Sequence, residues 1–199
     1  MSRSTGLTTA DEIRQVALVQ FANGGYEGTS MRQIADGVGI RAASLYNHFG
    51  SKEEMLWDLT SSAIESLMLV CREALDELPD TPTASERLDA FVRAHVKFHI
   101  ENSDQAQLVN GQMSSLSRQH RRQAVAQRDK YQAELAAILA DGVASGEFDH
   151  PDERLVLFAI LQMGTAVATW YRPTGRLGVD EVCDVYAELA QTIATGRRP

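Results

Sequence analysis

The sequence predicts an all-α protein of about nine helices, and three observations carry that expectation. Ala, Leu, Glu and Gln are abundant while there are only 5 prolines and 7% aromatics, and unbranched side chains lose little rotamer freedom on entering a helix. Apolar residues recur at three- and four-residue spacings, and no stretch reads as a convincing series of strands. Glycine and proline clusters cut these stretches into helix-sized lengths. At 199 residues with 44% hydrophobic content, the chain is long enough for one or two modest domains with a real core.

The elements follow in order. Thr8 or Thr9 can cap a first helix whose Ile13, Val16, Ala17 and Phe21 share a face, and Asn23-Gly24-Gly25 ends it. Thr29 or Ser30 caps a short second helix carrying Met31, Ile34 and Ala35, which Gly37-Val38-Gly39 stops with residues tolerant of positive φ. A third short helix runs from about Arg41 to Phe49, with Leu45 and Phe49 facing inward. Gly50-Ser51 breaks it, and Ser51 with Glu54 forms a capped start for a long helix to about Glu77. Beyond Pro79-Asp80-Thr81-Pro82, helical periodicity returns over Ala84–Glu101 through Leu88, Phe91, Val92 and Val96. Further helices are expected over Asp104–Leu116, Arg118–Ala144, Asp152–Tyr171 and Val179–Ala194, with turns at Gly142–Phe148 and Arg172–Gly178. The stretch Leu155–Tyr171 has no charged residue but is too short for a bilayer and contains Gln162, Thr165 and Thr169, so it reads as a buried helix.

The net charge of −8 argues at first against a nucleic-acid partner, because neutralising phosphates needs Lys and Arg. Its distribution removes the objection. Up to Lys52, five cations (Arg3, Arg14, Arg32, Arg41, Lys52) face four acids (Asp11, Glu12, Glu27, Asp36), leaving +1 there and −9 on the remainder. Cys71 and Cys183 lie far apart with no C-x-x-C spacing, so neither a disulfide framework nor a zinc site is signalled, and the polar start Met1–Thr9 lacks a signal-peptide core. A reducing cytoplasm is the expected setting. No nucleophile elbow, phosphate loop or metal motif supports an enzyme; the His95/His99 pair at i and i+4 is the only hook for one, and exposed or pocket-lining histidines explain it better than a metal does.

Two short helices separated by Gly37-Val38-Gly39-Ile40 have the length and turn chemistry of a helix-turn-helix, whose second helix enters the DNA major groove. Arg41, Ala42, Ala43, Ser44, Asn47 and His48 surround the inward Leu45 and Phe49, and small or polar side chains let the backbone approach base edges closely.

Thr29-Ser30-Met31-Arg32-Gln33-Ile34-Ala35, then Gly39-Ile40, then Ser44-Leu45-Tyr46-Asn47-His48-Phe49-Gly50-Ser51-Lys52-Glu53-Glu54 resembles the signature of TetR family transcriptional regulators. The resemblance implies a homodimer with a DNA-reading domain over 1–52 and an effector-binding and dimerisation domain over 53–199. It places Arg32, Ala42, Ala43, Ser44 and Tyr46 at base-reading positions and Thr29, Asn47, His48 and Lys52 at phosphate-contacting ones. Arg41 and Arg32 are the only guanidinium groups in the motif able to read guanine bidentately. Lys52 stands in a first helical turn, where exposed N–H groups favour a phosphate.

Arg128-Asp129-x-Tyr131, Gly142-x-x-x-Gly146-x-Phe148 and Trp170-Tyr171-Arg172-Pro173 look like the effector domain of members that sense acyl-coenzyme A thioesters. No cofactor is implied, only an effector: that thioester, with a drug-like ligand or no small molecule at all as the alternatives. On this reading Phe91, Val96 and Phe158 meet the acyl chain, Arg121 or Arg128 meets the coenzyme's phosphates, and His95, His99, Tyr131, Gln162 and Trp170 complete the pocket. The bland alternatives stand beside these assignments. Trp170–Pro173 also reads as a plain helix ending, with Trp170 buried and Arg172 against the last carbonyls, and Arg118, Arg121, Arg122 and Arg128 as a solvated face. Gly164, Ala166 and Ala168 permit close helix approach, consistent with a dimer bundle of the last two helices.

Overall fold

The computed structural model describes residues 9–196, and all regular structure among them is helical. In order these are α1 (Thr9–Gly24), α2 (Met31–Val38), α3 (Ala42–His48), α4 (Lys52–Asp76), α5 (Ala84–Glu101), α6 (Ser103–Gly111), a 3₁₀ turn (Met113–Ser115), α7 (Arg118–Ser145), α8 (Glu153–Trp170) and α9 (Val179–Ala194). Of the two candidate caps for α1, Thr8 lies outside the described residues. No helix among the described residues is long and apolar enough to cross a membrane.

Packing divides the described chain into two compact units: one reaches to Ala63 and includes Asp104–Ala124, the other comprises Ile64–Ser103 and Val125 onward. In the first unit, Ile13, Ala17, Phe21, Ile34, Leu45, Met55 and Leu56 are buried, so each short helix contributes its apolar stripe to one small core. Ala106, Leu108, Val109 and Leu116 are buried as well.

Local chemistry sets the ends of α2. Ser30, not Thr29, is its N-cap: the Ser30 hydroxyl accepts the Gln33 N–H, and the Gln33 side chain accepts the Ser30 N–H at 2.8 Å. Gly39 ends it at φ +80, with the Ile40 N–H returning to the Ala35 carbonyl at 3.0 Å. Gly37 acts differently from expectation: it lies inside the helix, and a Cβ there would stand 2.8 Å from Val16 Cγ1, so its missing side chain lets α2 lie against α1.

The second unit has its own core of Leu67, Leu88, Phe91, Val92, Leu135, Ile138, Leu139, Ile160, Val167 and Val182, with α5 packed on both α8 and α9. Thr83 caps α5 in a reciprocal box with Glu86. The expectation that the charge-free stretch Leu155–Tyr171 is buried holds for only one face of α8. Val156, Leu157, Ile160, Leu161, Gly164 and Val167 are buried, whereas Leu155, Phe158, Gln162, Ala166 and Trp170 are exposed. The helical period separates the two sets even though both are mostly apolar.

Candidate nucleic-acid interface and effector core

The reading helix is built from the inside out. Leu45 and Phe49 are buried, and this turns Arg41, Ala43, Ser44, Tyr46, Asn47 and His48 to solvent, with Ala42 half-buried. Arg41 occupies the N-cap position of α3 in extended backbone and makes no side-chain cap, so its guanidinium stays available. Arg32 is exposed on α2. These eight residues lie on α2, on α3 and at the N-cap of α3.

Thr29 and Lys52, expected at phosphates, both have partners within the chain. Thr29 is buried, and its hydroxyl donates to the carbonyls of Gln20 (3.1 Å) and Gly25 (2.9 Å), which pins the turn between α1 and α2. Lys52 Nζ donates to the Tyr26 carbonyl at 2.8 Å and lies 4.3 Å from the centre of the Tyr26 ring. The ammonium thus ties the first turn of α4 to the same turn. Neither pairing is visible from sequence spacing. Arg14 supplies another brace that the motif does not announce, through a two-pronged pair with Asp58 at 2.7 and 3.1 Å.

Of the expected pocket residues, Phe91, His95, His99 and Tyr131 come together in the second unit. Phe91 and Tyr131 stack at 5.3 Å, and the two histidine rings lie 4.3 Å apart. A carbonyl can only accept, so His95 Nε2–H donates to the Leu161 carbonyl at 3.2 Å, which leaves Nδ1 to accept from the Tyr131 hydroxyl. Cys71 Sγ stands 4.0 Å from that hydroxyl and extends the chain to α4. His99 Nδ1–H donates to the His95 carbonyl at 2.8 Å. Burial, and then the neighbouring His99, hold His95 well below the ordinary histidine value, so it is neutral. Burial likewise lowers His99 and the adjacent Arg128, and pushes the Cys71 thiol up to about 12.

The remaining expected pocket residues stand apart from this cluster. Arg121 is exposed and belongs to the first unit, where it donates to the carbonyls of Met113, Ser114 and Leu116. Phe158 and Gln162 lie on the solvent face of α8, with the Arg154 guanidinium over the Phe158 ring at 5.6 Å. Trp170 is 48% exposed rather than buried and rests on Tyr186. Arg172 does meet the end of α8, donating to the carbonyls of Thr169 at 3.4 Å and of the C-cap Tyr171 at 2.7 Å. Gly164 belongs to the interior: a Cβ on it would press on the His95 ring. Its smallness therefore lets α8 pack on α5 within the chain.

An exposed polar helix seated by a glycine turn on a three-helix core defines a DNA-binding regulator of the helix-turn-helix class, joined to a second all-helical unit. Residues 13–59 match the family described as bacterial regulatory proteins, tetR family, and residues 81–193 match the one described as tetracyclin repressor-like, C-terminal domain. The chain belongs to the TetR family of transcriptional regulators. It is 30% identical over 180 residues to the HTH-type transcriptional repressor KstR2 of Mycobacterium tuberculosis, covering 89% of this chain and 88% of that one. The solved structure of that protein, a ketosteroid transcriptional regulator, superposes with a TM-score of 0.83 over 94% of this chain and 95% of that one at 27% identity. PfmR of Thermus thermophilus superposes with a TM-score of 0.82 at 34% identity over 90% and 96% of the two chains. AibR, solved in complex with isovaleryl coenzyme A and operator DNA, shares the fold with a TM-score of 0.82 over 92% and 97% of the chains, at 23% identity.

Proposed function

We propose that this chain is a homodimeric transcriptional repressor that reads a palindromic operator with α3 and is released by an acyl-coenzyme A thioester. The observation that carries the reading is the solvent face of α3, where Arg41, Ala43, Ser44, Tyr46, Asn47 and His48 project from a helix anchored by the buried Leu45 and Phe49. Two copies related by two-fold symmetry would place their reading helices about 34 Å apart, hence the palindrome. Dimerisation rests on Leu155, Phe158, Trp170, Val185 and Leu189, large apolar side chains left exposed on α8 and α9. The effector reading rests on the buried Phe91–His95–Tyr131 cluster with the half-buried Arg128 beside His99, an aromatic interior with a cation beside it for an acyl group and a phosphate. Release requires the effector to favour a dimer geometry that no longer fits the groove spacing, because equal affinity for both states shifts nothing.

The test is selection of an operator from a duplex library, followed by two arms. Arg41→Ala and Arg32→Ala should each relax preference at one operator position, at about 1–3 kcal/mol. Wild-type preference in both would remove the helix-turn-helix reading. The operator complex is then titrated with acyl-coenzyme A thioesters, the matching free acids and cationic drugs. Release by the cationic drugs alone would replace the thioester and leave the repressor standing.

A further inference from the structure

The segment 104–124 lies far along the chain from the helix-turn-helix, yet it packs into the same compact unit. Its attachment is specific. Glu53, the second residue of α4, accepts the Ser117 N–H at 2.6 Å and His120 Nδ1–H at 2.9 Å on one oxygen, with the other oxygen 3.1 Å from the same nitrogen. The His120 ring is stacked on Trp57, one turn further along α4, at 4.9 Å and an interplanar angle of 5°. Ser117 caps α7 by accepting the His120 N–H at 3.1 Å, and Gln105 Nε2 donates to the Leu59 carbonyl at 3.4 Å.

What this grips is the seat of the reading helix. Only Phe49, Gly50 and Ser51 separate α3 from α4, and none of the three is free. Phe49 is buried, the Gly50 N–H donates to Glu54, and the Ser51 hydroxyl accepts the Glu54 N–H. Fixing the first turn of α4 therefore fixes the base of α3.

We propose that Glu53 and His120 are positioning residues for operator recognition, forming a latch that clamps the 104–124 corner onto the first turn of α4 and holds α3 in its reading orientation. Neither residue touches DNA in this role; the latch acts through α4. By chain continuity α7, which begins at the latch, runs on to Arg128 and Tyr131 of the second unit. The proposal rests on the operator-binding reading above.

The experiment measures binding of the full-length protein to the library-selected palindrome by fluorescence anisotropy for E53A, H120F, H120N and the E53A/H120F pair. Folding is checked by circular dichroism, and E53Q replaces E53A if the latter is unfolded. H120F keeps a ring on Trp57 but has no donor for Glu53; H120N keeps a donor. The expected result is an affinity loss of about five-fold or more for E53A and H120F, recovery towards wild type for H120N, and a double variant no weaker than the weaker single one. Base preference and the salt slope stay unchanged because no DNA contact is removed. With Trp170 replaced by Phe, Trp57 emission changes in E53A, because the imidazole stacked on the indole loses the carboxylate that holds it there. Wild-type affinity in a folded H120F, additive losses in the double variant, or a changed salt slope would overturn the latch. If the wild-type protein selects no palindrome, the operator reading itself falls and the latch with it, an outcome distinct from any difference among variants.

Discussion

Gly164→Ala is the substitution whose outcome the structure determines most tightly. An alanine Cβ would stand 2.7 Å from His95 Nε2 and 3.5 Å from Val96 Cγ2, with His95 Cδ2 nearer still. A side-chain end can often swing away from such a clash. This one cannot, because the imidazole is 2% exposed and is held at one nitrogen by the Leu161 carbonyl and at the other by the Tyr131 hydroxyl. In an open helix the change would be favourable by about 1 kcal/mol. Against that stand about 1–3 kcal/mol of overpacking and about 1–3 kcal/mol for a buried donor pulled from its acceptor. The net expectation is destabilisation by about 3 kcal/mol, read as a lower urea midpoint with unchanged slope. The companion cycle sharpens it. In a His95→Ala background the clash is gone, and Gly164→Ala should become neutral or stabilising. A Gly164→Ala protein as stable as wild type would refute the reasoning, since it would show the ring free to move.

Three further outcomes are expected. Because burial lowers the folded-state values of His95 and His99, the unfolded chain takes up protons first as pH falls through the ordinary histidine range near 6.5. Stability is full above that range and is lost below it, at about 1.4 kcal/mol per pH unit for each histidine until its lowered folded value is reached; a urea midpoint that does not fall between pH 7.5 and 5.5 would contradict it. Leu189→Glu places a charge among the exposed apolar residues of α9 and should give folded monomers with poor operator affinity; sedimentation showing an intact dimer would move the interface elsewhere. Lys52→Ala should weaken binding to every sequence and also lower thermal stability, because the ammonium holds the Tyr26 carbonyl; a pure phosphate contact predicts no stability change.

Much was legible in the sequence because it is written locally. Caps, glycine stops and apolar periods within a few residues specify α2, α3 and their turn, since those choices are made by neighbouring backbone groups, and the reading face of α3 follows once Leu45 and Phe49 are assigned inward. The charge division between the first 52 residues and the rest was equally plain. What tertiary structure alone decided are matters of which apolar face turns inward and which distant polar groups meet. Phe158 and Gln162 look like pocket residues on a stretch without charges, but both faces of α8 carry apolar side chains, and packing on α5 selected the one with Gly164. Thr29 and Lys52 keep the residue types of phosphate ligands, yet burial and the Tyr26 carbonyl engage them within the protein. Glu53 and His120 meet across a separation of 67 residues, and His95 and Tyr131 across 36. No periodicity spans such distances, because the pairing energy belongs to groups that only the folded chain brings together.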